Sequence, residues 1–117
     1  YNASLDSVRN SLALLSKVNN RKVFIFADIL ETDEFGKEIH ENVGRACIEN
    51  NIDVVITVGE LSKYTYDILK DSKIESYHFS NNQNLISEID NILETGDAIL
   101  IKGSHSMNLI EIVNYLK

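Results

Sequence analysis

The sequence predicts a three-layer α/β sandwich built on a mainly parallel sheet of at least four strands. Three short apolar runs, "KVFIFA", "DVVITV" and "AILIK", are dense in Val, Ile and Phe and lack polar alternation, as strands covered on both faces must be. Amphipathic helical patterns separate them, and an alternation of strands with helices is the signature of parallel strands joined by crossovers.

The elements follow in order. Val8, Leu12, Leu15 and Val18 recur at helical spacing, with Ser4 or Asp6 placed to cap the helix start. The first apolar run comes next, then a helix carrying Ile39, Val43 and Cys47 on one face. The second run leads through another helical stretch to "ESYHF", a weaker strand. Leu85, Ile89 and Leu93 mark a helix that Asn81 or Asn82 can cap. After the last run, Leu109, Val113 and Leu116 mark a final helix, with Ser104 or Ser106 as its cap.

The 117 residues suffice for one domain with its own core, and 44% hydrophobic with 25% charged residues argues against disorder. Eleven Lys and Arg against eighteen Asp and Glu give a net charge of -7, which repels nucleic acid and anionic lipid. No apolar run is long enough for a membrane span, so no membrane insertion is expected. The lone Cys47 excludes an intrachain disulfide and suits a reducing, cytoplasmic setting, where it reads as a buried thiol.

In parallel α/β sheets ligands gather beyond the carboxyl ends of the strands, which points to "ADILETDEFG", "VGELSK" and "KGSHSM". Gly59 and Gly103 each stand between a strand and a helix, where they serve either a tight turn, the commoner case, or the close approach of a ligand. Neither belongs to a Walker A loop or a dinucleotide fingerprint. Asp28, Glu31, Asp33 and Glu34 form an acidic cluster that can attract Mg²⁺ or a cationic group, though such a loop is more often simply solvated. Lys102, Ser104, His105 and Ser106 offer a cation, hydroxyls and an imidazole to a carboxylate or phosphate. A Ser-His hydrolase is disfavoured, since adjacent residues do not present a serine to its base and no G-x-S-x-G elbow is present. His40 and His78 read as packing or hydrogen-bonding residues, and with His105 they form no zinc pattern. These residues amount to a ligand-facing edge without a complete catalytic apparatus.

Taken in order, "YNAS" with "DSVRNSL", "FADILETDEFGKEIHENVG", "IDVVITVGELS", "YHFSN" and "GDAILIKGSHSMNLIEIV" resemble the C-terminal domain of the Mur ligases, in the branch that adds D-alanyl-D-alanine. The resemblance runs from end to end. It implies a Rossmann-like domain, residues 1–117, cut from a three-domain cytoplasmic enzyme whose ATP-binding loop lies in the central domain. It implies an ATP-dependent amide ligase acting on UDP-MurNAc-tripeptide, with ATP and Mg²⁺ bound mainly outside this domain, and an isolated domain without activity. Residue by residue, Tyr1, Asn2 and Ser4 match the motif entering the domain and are expected to face the nucleotide. Asp28 and Glu31 match the acid loop, and with Lys102, Gly103, Ser104 and His105 they are expected to face the dipeptide; no metal ligand is expected here. Asp33 stands where a Gly is common and His105 where an Arg is usual, which removes a fixed positive fork. The alternatives are another Mur ligase that adds an amino acid, and a non-catalytic receiver-like module with Asp28 as its regulatory acid.

Overall fold

A computed structural model of the chain describes residues 3–117. Five helices alternate with four strands: α1 (Leu5–Leu15), β1 (Lys22–Ala27), α2 (Gly36–Glu49), β2 (Val54–Val58), α3 (Ser62–Leu69), β3 (Glu75–Phe79), α4 (Asn82–Ile92), β4 (Ala98–Lys102) and α5 (Ile110–Leu116). Single 3₁₀ turns at Asp33–Phe35 and His105–Met107 precede α2 and α5. All strand pairs are parallel, in the order β3-β2-β1-β4. The chain thus steps outward from β1 to β3, then returns to the other side of β1.

Because side chains alternate across a strand, β1 and β2 divide their apolar residues between two cores. Phe24, Phe26 and Val55 pack with Val8 and Leu12 of α1, Val43 and Cys47 of α2 and Leu69 of α3. Val23, Ile25, Val54 and Ile56 face the other way, against Leu85 and Ile89 of α4 and Ile112 of α5. Each fully buried side chain of this size contributes about 1.5–3 kcal/mol, so these two faces fix the register more firmly than the ladder alone.

The expected uninterrupted burial holds for β1 and β2 and fails for β4. Its place at the sheet edge leaves Ile99 38% exposed, so "AILIK" is an edge strand with the composition of a central one. Val18 lies beyond the end of α1 and is exposed; the helix stops at Leu15, with Ser16 as its C-cap. Ser4 is the first cap, in a reciprocal box with Ser7, and Asn81 caps α4 through the Asn84 N–H at 2.8 Å. Neither Ser104 nor Ser106 caps the last helix, which begins at Ile110 after the 3₁₀ turn, with Leu109 in the cap position.

At the amino ends of the strands the Arg21 guanidinium meets Asp97 at 2.8 Å, with the Asp97 side chain only 3% exposed. It also donates to the Ile92 carbonyl at 3.3 Å, tying the entry to β4 to the start of β1. That end of the sheet is riveted by side chains. The opposite end carries the loops.

Candidate functional site

Since every strand runs the same way, their carboxyl ends open on one edge, and the following helices point their positive ends toward it. Four loops open there, spanning residues 28–35, 59–61, 80–81 and 103–109. Two wider hollows, of about 460 and 450 Å³, lie at the amino ends instead, around Ile52 and Asp53. No helix start faces those hollows with its N–H groups, so polar recognition is better served at the carboxyl edge.

Asp28 follows β1 directly, and its side chain turns inward, leaving the residue 5% exposed. Its two carboxylate oxygens accept the N–H groups of Leu61 at 3.0 Å and Ser62 at 2.7 Å, at the start of α3. A buried carboxylate at a helix N-terminus is stabilised both by these bonds and by the helix dipole. Gly59 makes room for it: a Cβ there would lie 2.5 Å from Asp28 Oδ1, and the residue's φ of +114° disfavours any side chain. Asp28 and the positive end of α3 therefore satisfy each other.

Ser104 is 2% exposed and joins two loops. Its N–H donates to the Asp28 carbonyl at 3.0 Å, and its Oγ accepts the Leu30 N–H at 2.7 Å. The hydroxyl thus stitches the loop after β4 to the loop after β1. Gly103 permits this approach, since a Cβ would stand 2.8 Å from the Ala27 Cβ and 3.0 Å from its carbonyl oxygen. Beside the seam, Gly103, Ser104, His105, Asn108, Leu109 and Ile110 line a groove of about 310 Å³. A neighbouring groove of about 330 Å³ is lined by Ala3, Ile101, Lys102, Gly103 and Leu109. It brings the segment entering α1 against the loop after β4.

Of the expected site residues, Lys102, Gly103, Ser104 and His105 therefore border grooves; Ser104, nearly buried, also joins two loops, and Asp28 lies beneath the surface holding the start of α3. Ser4 sits next to Ala3 at the second groove, its side chain engaged in capping. Tyr1 and Asn2 lie outside the described residues. Glu31, Asp33 and Glu34 are exposed, and both Glu31 (φ 60°) and Asp33 (φ 51°) are left-handed. That conformation accounts for a Gly being at home at position 33, and Asp is among the side chains that tolerate it. Among the described residues no three His, Cys, Asp or Glu side chains gather in a group that could hold a metal ion.

His40 is fully buried in α2. Its Nε2 accepts the Ile29 N–H at 3.0 Å and its Nδ1 lies 2.6 Å from the Gly36 carbonyl oxygen; burial lowers its pKa below the ordinary value, partly offset by the Gly36 carbonyl and by Asp28. His78 pairs through Nδ1 with the Thr57 hydroxyl at 2.7 Å, and burial and Lys63 lower its pKa, against smaller opposing effects of Asp28 and Asp67. Cys47 is buried in the core, and that burial pushes its thiol far up, keeping it protonated and inert.

A family model described as "Mur ligase, glutamate ligase domain" matches residues 1–105. The chain belongs to this Mur ligase family. A ligase of Rickettsia prowazekii named UDP-N-acetylmuramoyl-tripeptide--D-alanyl-D-alanine ligase is 34% identical over 98% of the chain, which covers 26% of that protein. Proteins of the same name from Bacillus subtilis and Escherichia coli are 29% and 28% identical over 99% and 100% of the chain. The chain thus spans about a quarter of the length of the relatives it matches. Its fold is that of a MurF crystal structure from Acinetobacter baumannii, with a TM-score of 0.87 at 22% identity, over 100% of this chain and 27% of that one. The MurF ligase of Thermotoga maritima, solved in complex with ADP, gives a TM-score of 0.79 at 19% identity, over 98% and 26%. The receiver-like alternative is set aside by the family match.

Within this Mur ligase domain, sequence reasoning overlooked Asn108 and the buried link from Ser104 to Leu30. Asn108 is left-handed at φ 55° and lines the first groove; an Asn between a 3₁₀ turn and a helix was its available signal. The link joins residues 74 positions apart and leaves no local trace in the sequence.

Proposed function

We propose that this Mur ligase domain is the carboxyl-terminal part of a cytoplasmic, ATP-dependent ligase that joins D-alanyl-D-alanine to UDP-MurNAc-tripeptide in peptidoglycan precursor synthesis. The observation that carries this reading is the end-to-end match, over 98% of the chain, to a ligase of that name. In the reaction so assigned, the tripeptide carboxylate attacks the γ-phosphorus of ATP, releasing ADP and leaving an acyl phosphate. The dipeptide amine then attacks the acyl carbon, phosphate departs with the electron pair, and the amine loses its proton to leave an amide.

The domain's part is to close over the nucleotide and receive the dipeptide. Closure aligns amine with acyl carbon and keeps water from a hydrolysable intermediate. Lys102 supplies a positive charge for the dipeptide carboxylate at the groove shared with Gly103. His105, on the other groove, is a second candidate for the same carboxylate, while Ser104 fixes the loop that carries both. We assign Glu31, on the exposed loop beside this edge, to the dipeptide's ammonium end, and Tyr1, Asn2 and Ser4 to the nucleotide, as the family resemblance implies. The phosphates and Mg²⁺ are assigned to the remainder of the ligase, as the resemblance implies; at the start of α3 the Leu61 and Ser62 N–H groups are taken by Asp28.

The test is Lys102→Ala in the full-length ligase. A lost charge-assisted hydrogen bond of about 1.5–3 kcal/mol raises the KM for D-alanyl-D-alanine about ten- to a hundredfold, with the KM for ATP unchanged. An unchanged dipeptide KM removes Lys102 from the acceptor site.

A further inference from the structure

The acidic loop between β1 and α2 is anchored at both ends by a single side chain. The Ile29 N–H can only donate and the Gly36 carbonyl can only accept, so the His40 contacts at 3.0 and 2.6 Å require a lone pair on Nε2 and a proton on Nδ1. One neutral tautomer satisfies both. A second proton on Nε2 would set donor against donor at Ile29 and add a buried charge.

The ring's surroundings keep it in place. Phe26 of β1 lies 5.6 Å from it between centroids, Thr65 of α3 donates its hydroxyl to the His40 carbonyl at 2.6 Å, and the charged group set against it is Asp28 at the end of β1. The held segment contains the two left-handed residues, Glu31 and Asp33, a conformation that persists only where its surroundings impose it.

We propose that His40 is a positioning residue with a protonation gate: neutral, it ties Ile29 to the turn entering α2, and protonated, it frees that stretch of the acidic loop while Ser104 still holds Leu30. What the loop serves rests on the function proposed above; the gate itself rests on this chain's own geometry. Its sense follows from burial, which favours the neutral ring. The loop is held at neutral pH and released only in acid, below the range where an ordinary histidine titrates.

The experiment is a pH titration of this chain by NMR, reading the ring nitrogens of His40 and the backbone amides from Ile29 to Phe35, with Ile25 and Ile56 as core references. The expected result is the Nδ1–H tautomer at neutral pH, the minority form of free imidazole. Protonation should then accelerate amide exchange at Ile29 and from Glu31 to Phe35 about tenfold, beyond the intrinsic pH effect, as the loss of one buried hydrogen bond implies, while Leu30, held by Ser104, and the core references keep their protection. His40→Gln keeps an acceptor and a donor without a titrating ring, and should abolish the pH dependence in the folded chain. Three results overturn the proposal: an Nε2–H tautomer at neutral pH, loop amides indifferent to His40 titration, or core and loop opening together. None depends on ligase activity, so failure of the gate and failure of the proposed function are separable.

Discussion

Replacing Asp28 with Ala tests whether the first loop's acid serves the fold. The substitution removes the acceptors for the Leu61 and Ser62 N–H groups, bonded now at 3.0 and 2.7 Å, and leaves both donors in a region where Asp28 itself is 5% exposed. A buried donor left without a partner costs about 1–3 kcal/mol, and losing a negative charge from a helix N-terminus adds about 0.3–1 kcal/mol. Relief from burying a carboxylate offsets part of this, so the expected loss is about 3–4 kcal/mol. Asp28→Asn keeps one carbonyl acceptor but turns an amide N–H toward the other donor, and should lose about half as much. The assay is urea unfolding of the chain followed by circular dichroism, comparing midpoints at constant m. Gly59→Ala supplies an internal control, because its Cβ would lie 2.5 Å from the same carboxylate oxygen. The two substitutions should be non-additive, with Gly59→Ala milder once the carboxylate is gone. Asp28→Ala within about 1 kcal/mol of the parent, a change typical of an undemanding site, would refute the capping argument.

Two further outcomes are expected. Gly103→Ala forces a methyl group to within 2.8 Å of the Ala27 Cβ and 3.0 Å of its carbonyl oxygen. It should cost about 1–3 kcal/mol in thermal or urea unfolding and deprotect the Leu30 amide, since the loop after β4 must back away; retained protection at Leu30 would contradict this. The Cys47 thiol, buried and held protonated, should react with a thiol reagent only as the chain unfolds, so that labelling across a urea series superimposes on the unfolding curve. Fast labelling of the folded protein would show the α2 face to be open.

The layers of this domain were legible because they depend on local patterns. Val8, Leu12 and Leu15 repeat at the helical period, and the runs through Phe24 and Val55 are continuous, so element order and the parallel sheet follow from spacing alone. Strand order was not legible: "AILIK" reads like a central strand, and only the return across β1 places it at an edge. The three strings singled out in the sequence do lie together at the carboxyl edge of the sheet. The division of labour within it was hidden, because Asp28 and Ser104 are polar residues in loops whose inward orientation depends on partners 33 to 76 positions away. The same limit produced the mistaken reading of Ser104 as a helix cap: a serine before a helical pattern has the same appearance whether it bonds the helix or a distant loop.

The seam that Ser104 makes between the loops after β1 and β4 closes, from beneath, the crevice at which the strand order reverses. A molecule arriving at this edge therefore meets grooves closed from below, with Lys102 and His105 along their margins. The buried bonds below that surface fix the two loops to each other, so the side chains they carry keep one arrangement whichever of the loops a contact touches.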